Sequence, residues 1–161
     1  MKFLKKISKM HIRFAFAVNK LNEFESQDFC NADRFLIYEW VNNEFVFLKD
    51  EANRFKNPDN DRANGSDGKV KAIIGFLKSL DINVLVSIRF GKNIQLVNST
   101  FIPVIVSSET PEQVKQAVKK HFKWIEDELQ NRPEEFKLFT IKNGILKTSI
   151  KQNQSTFPAL N

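Results

Sequence analysis

Two apolar runs in the middle of the chain constrain its fold more than any other feature. The first covers residues 84–88 and the second is Ile102–Val106. Neither run alternates apolar with polar residues, which is typical of strands covered on both faces, as in a parallel sheet. Gly91 follows the first run where the chain must turn sharply, and glycine tolerates such turns. Because ligands of open α/β sheets bind beyond the carboxyl ends of strands, residues 89–93 are the first candidate site.

The segments around these runs predict an α/β fold, a mixed five-stranded sheet with helices packed on it. Thr110, Pro111 and Gln113 form a strong helix-start signal, with threonine at the N-cap and glutamine completing a capping box. Asn42 and Asn43 suit a two-residue turn, because asparagine tolerates positive φ. The predicted strands are 11–18, 34–41, 44–49, 84–88 and 102–106, and the predicted helices are 67–80, 94–98 and 110–131.

A C-terminal β-hairpin is predicted beyond the last helix. Asn143 and Gly144 stand between apolar runs, which is the strongest short-range hairpin signal. The expected organisation is a basic leader at 1–10, an α/β domain at 11–131, the hairpin at 132–150 and a disordered tail at 151–161. Within the leader, Met10 is an alternative start.

The composition limits which cellular compartment and which partners are expected. The 161 residues carry a net charge of +6, and we favour a solvated lysine-rich surface over a nucleic-acid footprint. The single cysteine, Cys30, excludes an internal disulfide and fits a cytoplasmic location. No apolar run approaches the roughly 20 residues of a membrane span, so no membrane partner is expected.

The sequence lacks the usual catalytic and metal-binding motifs. Residues 65–70 are no P-loop, because the glycines are too close together and no Ser or Thr follows the lysine. His11 and His121 have no second ligand at zinc spacing, and Cys30 has no nearby histidine to act as a base. The layout is similar to the ribonuclease H fold, but the first strand has no Asp or Glu for two-metal catalysis. We therefore expect no enzyme and no catalytic residues.

With this layout the chain resembles the dinitrogenase iron–molybdenum cofactor biosynthesis family, ribonuclease H-like domains that carry or store nitrogenase cofactor precursors. The resemblance covers about residues 11–129. It is strongest at 87–93, SIRFGKN, where the family has a strand and a Gly-Pro-Asn-like turn. It continues at 26–35, SQDFCNADRF, where the family has a Ser/His stretch and then Phe-Gly-Arg-Ala. Residues 64–68, NGSDG, fall in the family's glycine-rich loop.

Three departures bear on the cofactor that this resemblance implies. The family's common histidine falls on Asp28, its glycine falls on Cys30, and Lys92 replaces its proline. Iron–sulfur clusters are held mainly by thiolates, with imidazole as the usual substitute. The resemblance thus implies a non-catalytic binding module for iron–molybdenum cofactor or an iron–sulfur precursor, with weak or lost metallocluster binding. The alternatives are no cofactor at all, or a ligand-free protein-interaction domain that uses the hairpin.

The family resemblance and the rule that ligands bind beyond the carboxyl ends of strands indicate the same candidate site. Amides at a helix start, together with basic side chains, suit a small anionic ligand or metallocluster. Cys30 would be the one thiolate for a metal, although the negative charges of Asp28 and Asp33 disfavour that thiolate. In the alternative, Arg89 and Asn93 merely satisfy backbone groups in the turn. The candidate binding residues are Arg89, Gly91, Lys92, Asn93, Asn64, Gly65 and Gly68.

Overall fold

The computed structural model describes residues 11–56 and 65–149 and contains both strands and helices. The predicted leader and disordered tail lie outside the described residues. The strands are β1 Ile12–Val18, β2 Arg34–Val41, β3 Glu44–Ala52, β4 Val84–Ser87, β5 Ile102–Val106, β6 Leu138–Lys142 and β7 Ile145–Ser149. The α-helices are α1 Gly65–Ser79, α2 Ile94–Asn98, α3 Pro111–Lys120 and α4 Phe122–Asn131. No helix among the described residues is long and apolar enough to cross a membrane.

All seven strands form one mixed sheet in the order β3-β2-β1-β4-β5-β6-β7. The strands β1, β4, β5 and β6 are mutually parallel, and the other neighbours are antiparallel. The predicted mixed α/β fold and its hairpin are therefore confirmed. The hairpin continues the five predicted strands, because Phe139 and Ile141 on β6 pair beside β5 and are buried in the same core.

The sheet separates two cores because alternate side chains of β1 point to opposite faces. Phe14 and Phe16 lie in one core, on what we call the phenylalanine face, and α3 and α4 cover it. Ala15 and Ala17 lie in the other core, on what we call the alanine face, and α1 and α2 cover it. Ala15 and Ala17, together with Ile73 of α1, are fully buried in this core.

Both predicted hairpin turns are present. Asn42 and Asn43 have φ values of 51° and 66°, and Asn143 and Gly144 have values of 55° and 73°. Two successive positive φ angles match the right-handed twist of the flanking strands. These four residues thereby fix the register of β2 with β3 and of β6 with β7.

The long helix predicted at 110–131 is two helices that meet at His121. Its φ of −130° and ψ of 33° are not helical. The break accompanies two stacked ring pairs, Phe122 on Trp40 at 4.0 Å and His121 on Trp124 at 4.2 Å between centroids. The stacking of Phe122 on Trp40 could not be predicted from residue spacing, because Trp40 lies on β2, far away in the sequence.

Two further boundaries differ from the sequence prediction. The strand predicted at 44–49 continues to Ala52, which pairs with Arg34 after an irregularity in register opposite Ile37 and Tyr38. An ion pair of 2.9 Å between Arg34 and Asp50 spans the same two strands. The helix predicted at 67–80 begins earlier, at Gly65, and ends at Ser79.

The capping box of α3 provides a local test of the fold. The Thr110 hydroxyl accepts from the Gln113 amide at 3.2 Å, and the Gln113 side chain accepts from the Thr110 amide at 3.0 Å. Thr110→Ala should lower the free energy of unfolding by about 1 kcal/mol, because the first turn loses its acceptor. Urea unfolding measures this change, with the exposed Thr148→Ala on β7 as the control. Equal midpoints for the Thr110 variant and wild type would contradict the role of this cap.

Candidate functional site

The carboxyl ends of β1, β4 and β5 meet at one edge of the sheet because these strands are parallel. We call it the carboxyl edge. The loops that follow Val18, Ser87 and Val106 lie there, and the first two contain predicted site segments. The topology therefore brings together residues that are about sixty positions apart in the chain.

The segment around Cys30 is held directly against the turn after β4. The Phe29 amide donates to the Arg89 carbonyl at 3.2 Å, and Asp28 and Arg89 form an isolated parallel bridge. The rings of Phe29 and Phe90 lie beneath, with centroids 5.5 Å apart and both side chains buried. Two of the predicted segments thus meet in the structure.

Asp28 organises this junction. One carboxylate oxygen accepts from the Cys30 amide at 3.1 Å and caps the 3₁₀ turn Phe29–Asn31. The other, Oδ2, lies 3.2 Å from the position that a Cβ at residue 91 would occupy. Gly91 also has a φ of +62°, which favours glycine, and a Cβ added there would crowd the Asp28 carboxylate.

The two cations of the predicted site, Arg89 and Lys92, project into solvent. Both residues are exposed, and within the described ranges neither side chain forms an ion pair. The turn is held by main-chain groups, since the Arg89 carbonyl also accepts from the Ser87 hydroxyl and the Asn93 amide donates to the Phe90 carbonyl. The turn therefore does not use the guanidinium, which is available to another group.

The third predicted segment approaches through the start of α1. The Lys69 ammonium lies 3.4 Å from the Asn31 side-chain oxygen, beside the 3₁₀ turn that holds Cys30. Gly65 is the first residue of α1, and Gly68 lies half-buried in its first turn. Asn64 falls outside the described residues. Lys69 was missed in the sequence, although it directly follows the predicted glycine-rich stretch.

Cys30 belongs to the core of the alanine face, and only 6% of its surface is exposed. The Asn53 side-chain Nδ2 donates to the carbonyls of Cys30 and Ala32 at 3.1 and 2.9 Å, which fixes this loop from the far side. His11 precedes β1 at the opposite edge of the sheet, and His121 lies between α3 and α4. Among the residues that the structure describes, no three His, Cys, Asp or Glu side chains are grouped to hold a metal ion.

A buried carboxylate at the carboxyl edge was missed in the sequence. Glu109 accepts hydrogen bonds from the amides of Ser107, Ser108 and Gly144, at 3.2, 3.1 and 2.8 Å. It therefore ties the β6–β7 turn to the loop before α3. Burial raises the pKa of Glu109, but these backbone donors outweigh it and hold the pKa below its ordinary value of 4.5.

Two cavities flank Glu109. One, of about 220 Å³, lies between the loops after β1, β4 and β5, and the other, of about 370 Å³, lies between α3 and the β6–β7 turn. The first is lined by Glu23, Phe24, Ile88, Ser108, Glu109, Thr110 and Pro111. The second is lined by Ser108, Glu109, Gln113, Gln116, Ala117, Lys120, Asn143 and Gly144. The predicted site residues line neither of these two cavities.

Comparison with known proteins identifies a family for this chain. The family model described as dinitrogenase iron-molybdenum cofactor matches residues 10–123. The matched range contains β1 to β5, α1 to α3 and all of the predicted site segments, and it ends before β6. No curated protein matches the chain.

A pair of glycines tests the junction around Asp28. Gly91→Ala should destabilise the fold by about 1 kcal/mol or more, because alanine is strained at positive φ and its Cβ would press on the Asp28 carboxylate. Gly75→Ala in α1 is the control, since no neighbouring atom lies within 4 Å of an added Cβ. The control should stabilise by about 0.5–1 kcal/mol, because alanine favours helices. Urea unfolding measures both, and an unchanged Gly91→Ala would refute the constraint.

The lowered pKa of Glu109 gives a pH dependence with a definite sign. Because this pKa is lower in the folded chain, the ionised carboxylate stabilises the fold above 4.5. That contribution is lost as the pH falls through the lowered folded value. Glu109→Gln should therefore lose less stability than wild type over this acid range, as measured by urea midpoints at a series of pH values. The exposed Glu134→Gln is the control, and identical pH profiles for wild type and Glu109→Gln would contradict the assignment.

Proposed function

Because the chain belongs to the dinitrogenase iron–molybdenum cofactor family, we propose that it is a non-catalytic binding module with a small anionic ligand at the carboxyl edge of its sheet. In this proposal the module binds a metallocluster weakly or not at all. The family is associated with carrying or building the cofactor, so binding rather than bond making is the expected activity. The single cysteine is consistent with a cytoplasmic location.

The observation that carries the proposal is the junction of the Arg89 turn with the Cys30 loop. The Phe29 amide and the Arg89 carbonyl fix the two segments at 3.2 Å, which sets the backbone from which Arg89 and Lys92 extend. A guanidinium binds oxyanions with two parallel hydrogen bonds, and a lysine nearby adds a point charge. Lys69 lies on the neighbouring helix start and contributes positive charge to the same edge.

The chemistry of the available donors argues against strong cluster binding. The one thiol of the chain is buried in the alanine-face core, and the Asp28 carboxylate accepts from its own backbone amide. A cluster normally requires several thiolates or imidazoles. In this chain neither histidine lies in the segments that meet at the carboxyl edge. The carboxyl edge therefore suits anions better than a cluster.

The anion part of the proposal is tested by calorimetric titration with inorganic phosphate and with molybdate. Wild type should bind at least one of them, and Arg89→Ala should weaken that binding several-fold because it removes the bidentate donor. Lys142→Ala, an exposed cation on the hairpin, is the matched control and should leave affinity unchanged. If Arg89→Ala and Lys142→Ala behave alike, Arg89 is not a ligand-binding residue.

The metallocluster part is tested separately by anaerobic titration with a synthetic iron–sulfur cluster, followed by metal analysis. Wild type and Cys30→Ser should both retain little iron after gel filtration. Retention of a full cluster by wild type, abolished by Cys30→Ser, would show that cluster binding survives and that this part is wrong.

A ligand-free protein-interaction domain is the second candidate function. Ile145 on β7 is 52% exposed and is the one large exposed apolar residue of the hairpin within the described residues. A single isoleucine is a small basis for an interface, because docking surfaces are contiguous apolar patches. This second function would be supported if wild type binds no anion and a partner protein binds the hairpin rather than the carboxyl edge.

A further inference from the structure

The outer edge of β3 carries an apolar surface that the proposed ligand site does not use. β3 pairs with β2 on one side and lies at the end of the sheet among the described strands. Val46, Phe47 and Leu48 are 43%, 53% and 37% exposed, although all three are large and apolar. Natural edge strands are usually shielded by charges or prolines, because their open backbone groups pair with other chains. The segment from Val46 to Leu48 has no charged residue or proline, and the charges of β3 lie on either side of it, at Glu44 and at residues 49–51.

The hairpin turn determines which backbone groups point outward. In a two-residue hairpin the residues that flank the turn form a hydrogen-bonded pair, here Val41 with Glu44. Hydrogen-bonded and non-bonded pairs then alternate along the strand. Phe45 and Phe47 consequently direct their N–H and C=O groups away from β2. These two residues can donate to and accept from another strand without any loss to β2.

We propose that β3 is the interface at which two copies of this chain pair, as antiparallel strands related by a two-fold axis at Val46. In this register Val46 of one chain lies opposite Val46 of the other, and Phe45 of each chain lies opposite Phe47 of the other. The outward groups of the two phenylalanines satisfy one another across the axis. A second copy fits this strand because Phe45, Val46 and Phe47 of each chain oppose apolar residues of the other.

Charge selects this register over its neighbour. With the axis at Val46, Glu44 lies opposite Leu48 of the second copy, with Lys49 next to it. Glu44 and Lys49 share one face of the sheet, because their partners on β2, Val41 and Ile37, are four residues apart. Two opposite-charge contacts therefore form. With the axis at Phe47, Glu44 would instead face Asp50 and Glu51, and like charges opposite one another destabilise paired strands. The register irregularity at Leu48 also keeps regular pairing to the segment before it.

The aromatic packing of the chain continues into the proposed interface. The Phe45 ring lies 4.9 Å from that of Phe14 in the phenylalanine-face core, and the rings of Tyr38 and Phe47 are 5.6 Å apart. Phe47 is the exposed end of this row. Pairing it with Phe45 of the second copy covers that end and joins the two cores, which is favourable burial of apolar area.

The existing ion pairs on β3 leave its charges accessible. Glu44 contacts Lys119 at 3.2 Å and Lys49 contacts Glu51 at 3.2 Å, with both Glu44 and Lys49 substantially exposed. Such surface pairs contribute little stability and exchange readily. Glu44 and Lys49 can therefore also meet across the two-fold axis.

The test is the mass of the full chain in solution, measured by sedimentation equilibrium over a series of concentrations. Wild type should reach twice the chain mass, and Val46→Lys should shift it to the monomer by placing two lysines together at the axis. Ile145→Lys, on the opposite edge of the sheet, is the matched control and should remain dimeric. A monomeric wild type at every concentration overturns the proposal, as does a dimer that persists in Val46→Lys or is lost in Ile145→Lys.

A charge exchange tests the register without changing the apolar residues. Lys49→Glu should weaken dimerisation at least several-fold, because it places acids beside Glu44, and the double variant with Glu44→Lys should restore it. Circular dichroism confirms that each variant is folded. If the double variant fails to recover the dimer, or if wild type forms open-ended aggregates rather than a closed pair, the two-fold register is wrong.

Discussion

The parallel pairing of β1, β4 and β5 is the interaction on which the rest of the molecule depends. Val84, Leu85 and Val86 of β4 have no exposed surface, so both faces of this strand need apolar cover. That requirement places α1 and α2 on one face and α3 and α4 on the other. The same parallel direction gathers the loops after three strands at one edge. Burial of the central strands thus determines both the layers of the fold and the position of its candidate site.

Local patterns in the sequence predict most of the fold because most elements carry their own signals. The alternation in β1, the paired asparagines of the β2–β3 turn and the capping box at Thr110 each depend on neighbouring residues. The break at His121 depends on Phe122 meeting Trp40, and the pairing of β6 with β5 depends on a strand over thirty residues away. Such long-range contacts leave no periodicity in the sequence, so the two helices and the continuous sheet could not be predicted from it.

The candidate site divides in the same way. The meeting of the Arg89 turn with the Cys30 loop follows from strand direction and is visible in the sequence. The role of Asp28 is harder to predict from the sequence. One of its oxygens accepts from a backbone amide, and the other occupies the space beside Gly91. Glu109 is harder still, since one of its three donors is the Gly144 amide, 35 residues away. Carboxylates that bind main-chain groups have no partner residue type for a pattern to identify.

The winding of the sheet has a consequence for its last two strands. The connections from β4 to β5 and from β5 to β6 step the same way across the sheet, but α2 lies on the alanine face and α3 and α4 lie on the phenylalanine face. The two crossovers therefore have opposite hands, although about 98% of such crossovers are right-handed. The usual preference for right-handed crossovers therefore does not explain the position of the hairpin. The pairing of β6 with β5 and the burial of Phe139 and Ile141 hold it in place. Two carboxylates add to this, Glu109 as acceptor for the Gly144 amide and Glu128 for the Lys137 amide, each at 2.8 Å.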